Sequence, residues 1–143
     1  MGKNSDHPNA GTEGARQGLL GLREAVLHLH KTLVDSERAD YEKTFGTIKS
    51  PNQFLQLLTS DPWFAWLRPL SQLIVAMDEL LDAKEPLSWV GVEALAGETE
   101  RMLVATETGE GFPRHYHEAL QRDPDVVMAA SEVNKQRGKM NGK

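Results

Sequence analysis

A chain of 143 residues with 39% hydrophobic content is long enough for one domain with a real core and too short to suggest two. The absence of cysteine excludes disulfides, thiolate metal sites and cysteine nucleophiles, so any chemistry rests on His, Asp, Glu, Ser, Lys or Arg. The formal charge of −5 is concentrated in residues 51–100, where Arg68 and Lys84 face eight acids; a segment of that sign repels a phosphate backbone, and nucleic acid is not an expected partner.

Residues 1–13 are rich in Gly, Asn, Asp and Ser and read as a disordered tail with nothing to bury. They lack the apolar stretch of a secretory signal, and no later segment approaches the roughly 18 uninterrupted apolar residues of a membrane span. A cytoplasmic protein without a membrane partner is expected.

The first helix follows. Leu19, Leu22, Val26, Leu29 and Leu33 alternate three and four apart, Leu20, Leu27 and Val34 flank them at intervals of seven, and the pattern runs through Tyr41 to Phe45 before Gly46 stops it. Between the two apolar rows lies a polar stripe of Arg23, His30 and Glu37, seven residues apart. Such neighbours stand about 10.5 Å from one another along the axis, so each needs a partner on another helix or on a ligand.

Four of the seven prolines, Pro51, Pro62, Pro113 and Pro124, stand where helices begin, each preceded by Ser, Asp or Phe. Ser50-Pro51-Asn52-Gln53 has the form of a capping box and starts a short second helix carrying Phe54, Leu55, Leu57 and Leu58. A third helix from Trp63 presents Trp63, Trp66, Leu67, Leu70, Leu73, Ile74, Met77, Leu80 and Leu81 on one side, with a bend expected at Pro69. Ser88 opens a fourth helix with Val92, Leu95, Thr99, Met102, Leu103 and Thr106 inward, and its small residues Gly91, Ala94, Ala96 and Gly97 point to close packing. Two short helices follow, one around Phe112, Tyr116 and Leu120, the other around Val126, Val127, Ala130 and Val133. No segment alternates as a strand does. The expected fold is an all-α, single-domain bundle of three long and two to three short helices over residues 14–135, with residues 136–143 as a disordered basic tail.

Two constellations are candidate sites. On the third helix Phe64, Arg68 and Val75 project, together with Ser71, away from the core side, an apolar pair around an arginine of the kind that interfaces favour. His30, Arg114, His115 and Tyr116 supply the polar groups for a ligand cleft, Arg114 lying at a helix start where free amides favour anions. A metal is not expected. His28/His30 and His115/His117 are spaced two apart, about 200° around a helix, and no glutamate precedes any of them by three. Gly-x-Ser-x-Gly, His-Glu-x-x-His and the phosphate loop are all absent, so no catalytic residue and no cofactor are assigned. The function read from the sequence is a non-enzymatic interaction or regulatory module with a protein partner or a second copy of itself, the alternative being a small-molecule- or metal-binding bundle.

Overall fold

The computed structural model describes residues 8–141, with side chains from residue 12 to 140, and over this range the chain is all-α. The helices are α1 (Pro8–Phe45), α2 (Pro51–Ser60), α3 (Arg68–Asp82), α4 (Trp89–Met102), α5 (Phe112–Arg122) and α6 (Pro124–Asn141), with a 3-10 helix at Pro62–Leu67 between α2 and α3. No strand occurs among the described residues, and no helix among them is long and apolar enough to cross a membrane.

The 38-residue α1 is the central rod because its apolar stripe is wide enough to need covering from several sides. Leu19, Leu22, Val26, Leu29 and Leu33 are fully buried. α3 runs antiparallel along one flank, as the Arg23–Asp78 ion pair and the His30–Ser71 hydrogen bond show. α6 runs antiparallel along another flank and makes the longest seam. α4 closes the bundle, with Gly91 against Leu80 of α3 and Glu100 paired to Arg137 of α6. The close approach expected for the fourth helix also involves glycines of α1: a Cβ on Gly18 would stand 3.1 Å from the Trp89 ring. α1 stops where its rows end. Gly46 turns left-handed at φ +94° while its N–H still donates to the Glu42 carbonyl at 2.9 Å.

The prolines start helices as their chemistry requires, and the capping box forms. Ser50 Oγ accepts from the Gln53 N–H at 3.0 Å, and Gln53 Oε1 accepts from the Lys49 N–H at 2.8 Å, one residue earlier than the usual reciprocal bond. Ser88 stands at the start of α4 but makes no side-chain cap, and α4 ends at Met102, which leaves Thr106 exposed in the following loop.

The tails differ from expectation. α1 begins at Pro8, and α6 continues through residues 136–141, where Met140 is buried and its side chain lies near Gly18 of α1. One apolar residue a turn beyond Gln136 is enough to hold the end of the helix down, although basic residues surround it. Residues 1–7 and 142–143 of the two expected tails lie outside the described residues.

Pro69 does more than bend a helix. An α-helix would have the residue 69 N–H donate to the Ala65 carbonyl; proline has none, and the Arg68 N–H donates to Ala65 instead. That three-residue bond tightens Pro62–Leu67 into a 3-10 helix, in which residues three apart share a face. Phe64 and Leu67 therefore point together into the core, and Trp63 and Trp66 share the next face.

Candidate functional site

Each member of the polar stripe on α1 finds a partner on another helix. Arg23 pairs with Asp78 of α3. His30 Nε2 and Ser71 Oγ of α3 are hydrogen-bonded at 2.8 Å. Glu37, 5% exposed, accepts from Arg122 of α5 at 2.9 Å, and the same guanidinium donates to Ser36 Oγ at 3.0 Å and approaches Asp40 at 3.6 Å. Seven-residue spacing on a straight rod thus becomes three cross-links to two neighbours, fixing the register of α1 against both.

The middle cross-link forms the floor of a groove. His30 and Val34 of α1, Phe64 and Leu67 of the 3-10 helix, Arg68 and Ser71 of α3, and Leu58 and Thr59 at the end of α2 enclose about 340 Å³. No carboxylate lines it, and its only full charge is the Arg68 guanidinium, which donates to the Thr59 carbonyl at 3.2 Å. A second, shallower depression bordered by Glu24, Leu27, His28 and Lys31 adjoins it at His30.

Burial of the imidazole lowers the pKa of His30 below its ordinary value of 6.5, so the ring is neutral at pH 7 and can share one proton with the Ser71 hydroxyl. Besides Ser71, the groups that surround the ring across the two depressions are Arg68, Lys31, His28 and Glu24. A histidine whose folded pKa is depressed stabilises the fold fully above the unfolded value, and that contribution is lost as pH falls through the folded pKa. Urea titrations between about pH 7 and 5 are accordingly expected to show stability falling with pH, and His30→Gln is expected to flatten that fall. An unchanged slope in the variant would contradict the assignment.

The candidate residues are redistributed. Phe64 does not project outward with Arg68 and Val75: at 2% exposure it packs against Tyr41 and Phe54 and meets open space only within the groove lining, because the 3-10 period turns it inward. Arg68 and Val75 keep the outward stripe of α3, with Val75 54% exposed. The ligand set is split as well, since α5 packs on the Trp66 face of the 3-10 helix and the groove opens on the Phe64 and Leu67 face. His115 stacks on Trp66 at 5.2 Å, and Arg114 pairs with Glu118 at 2.9 Å. Tyr116 is buried beside Phe112, and burial pushes its phenol up to about 12. None of these three reaches the cavity that His30 lines.

The residues missed outright are Leu58 and Thr59. Ser71 is placed by its spacing on the outward stripe with Arg68 and Val75, but nothing in that spacing points to His30 as its partner.

A larger cleft of about 750 Å³ lies where α1 meets α5 and α6, lined by His28, Asp35, Asp40, Lys43, Arg122 and Asp125 among others. Much of its charge is already answered internally, Lys31 by Asp35 and Arg122 by Asp40, so it offers less to a ligand than its size implies. Among the described residues no three His, Asp or Glu side chains are placed to hold a metal ion.

A hydroxyl 2.8 Å from an imidazole is also the start of a nucleophile and base pair. Here no carboxylate bonds the other ring nitrogen among the described residues, and Ser71 sits a turn inside α3, where helical bonds occupy the backbone N–H groups that would stabilise an oxyanion.

Comparison of the chain with known protein families, with curated proteins and with solved structures finds no match.

Proposed function

We propose that this chain is a non-enzymatic binding module, a helical bundle whose recognition element is the groove between α1 and α3. The observation that carries this reading is the His30–Ser71 pair, a polar floor in a groove whose own lining holds no acid, set among the apolar side chains of Val34, Leu58, Phe64 and Leu67. Few polar groups in an apolar concavity is the usual composition of a ligand site. A ligand that binds only the folded chain must raise its melting temperature. Melting the full chain against a panel of small amphiphiles should give upward shifts, and Ser71→Phe, which fills the groove, should remove them. A panel without a single shift would contradict the reading.

The second reading is a protein partner or a second copy of the chain docking over the same face. Val75 at 54% and Leu27 at 38% exposure, on α3 and α1 about a turn beyond the His30–Ser71 pair, favour it. Sedimentation equilibrium tests self-association directly: a dimer that Val75→Glu turns into a monomer supports a second copy as the partner, and a wild-type monomer at all concentrations contradicts it.

A further inference from the structure

We infer that the groove between α1 and α3 accepts an unbranched aliphatic monocarboxylate, with its carboxylate on the Arg68 guanidinium and its hydrocarbon chain along Leu58, Phe64, Leu67 and Val34. The inference rests on the ligand-binding reading above and adds the ligand's class.

Charge is the first argument. Among the described residues Arg23, Arg38, Arg101, Arg114, Arg122 and Arg137 all pair with carboxylates, whereas Arg16 and Arg68 each bond only a backbone carbonyl, and of these two only Arg68 lines the groove. The fork of a guanidinium matches the two oxygens of a carboxylate. The only other basic side chain in the lining, His30, is kept neutral by burial. One positive charge and no negative one in the lining suit a monoanion; a phosphate dianion would leave a charge unanswered.

Shape and chemistry supply the rest. Beyond Arg68 the walls are Val34, Leu58, Phe64 and Leu67, which offer a chain of methylenes no hydrogen-bonding partner and ask for none. At about 340 Å³ the volume lies at the small end of ligand pockets, roughly 300–1,000 Å³. The wall formed by Leu58 and Thr59 belongs to α2, none of whose residues is fully buried, so this is the side with least holding it in place and the natural entry. Ser71 and His30 form a second polar point on the floor, where they limit how deep an apolar chain can run.

Isothermal titration of the full chain with sodium decanoate, below micelle formation, tests this. One equivalent should bind, and each methylene removed in going to octanoate should weaken binding about fourfold. Arg68→Leu and the uncharged 1-decanol should each bind at least tenfold more weakly. Arg16→Leu, which removes an arginine that also lacks an acidic partner but lies outside the groove, should change nothing, and Ser71→Phe should abolish binding. Arg68 is exposed, so its variant should melt as the wild type does without ligand.

If decanol binds as tightly as decanoate and Arg68→Leu has no effect, the carboxylate inference falls while the groove reading stands. If neither amphiphile binds, or if Ser71→Phe binds both unchanged, both fall. If acetyl-trileucine with a free carboxylate binds more tightly than decanoate, the ligand is a peptide C-terminus and the fatty-chain assignment is overturned.

Discussion

Phe64→Ala is expected to cost about 3–5 kcal/mol of unfolding free energy, the range for truncating a buried aromatic side chain. Phe64 is 2% exposed, with the Tyr41 ring 5.6 Å and the Phe54 ring 5.9 Å from its own, so the deletion opens a cavity where α1, α2 and the 3-10 helix meet. Val75→Ala, on the exposed stripe of α3, should stay within about 0.5 kcal/mol. Urea denaturation of both variants measures the difference. A loss under about 1 kcal/mol for Phe64→Ala would return the residue to the surface and restore the continuous α-helix that the apolar spacing alone suggests. The same variant removes a wall of the groove, so any groove ligand should lose affinity with it.

Arg122→Leu is expected to cost about 3 kcal/mol, because it leaves the Glu37 carboxylate buried with no other described cation paired to it and strips Ser36 Oγ of its donor. Much of that loss is the penalty for a charge left alone, so Glu37→Gln in the Arg122→Leu background should recover part of it. A double-mutant cycle in urea separates the pair's coupling from the two single effects. A single-variant loss below about 0.5 kcal/mol would show the pair to be a surface contact of little weight.

Most of the fold was legible because it is local. The stripe from Leu19 to Leu33 needs only the helical period to be recognised, and it is buried throughout. Pro51, Pro62, Pro113 and Pro124 each fall in the first turn of a helix, since a missing N–H costs nothing there. The requirement that Arg23, His30 and Glu37 find partners was also readable, from distance along the axis alone. Which partners they find was not. Asp78, Ser71 and Arg122 lie 41 to 85 residues away in the chain, and nothing in the period of α1 chooses among them.

Phe64 shows a different kind of failure. A period of about 3.6 residues places it with Arg68 and Val75, and the tighter 3-10 period places it with Leu67. The deciding residue, Pro69, was visible, and its lost bond to Ala65 was the available signal for a change of period rather than a bend. The candidate site was legible in halves. Arg68 came from an interface argument and His30 from a cleft argument, and they line one groove because α1 and α3 run antiparallel at that level.

The most direct measurement is nuclear magnetic resonance of the His30 ring in the full chain, followed through a pH titration and then with decanoate added. The ring is expected to titrate below 6.5, to show cross-relaxation with the Ser71 methylene, and to shift on adding decanoate. A His30 that titrates at or above 6.5, with no contact to Ser71 and no response to decanoate, would contradict the groove and the function built on it.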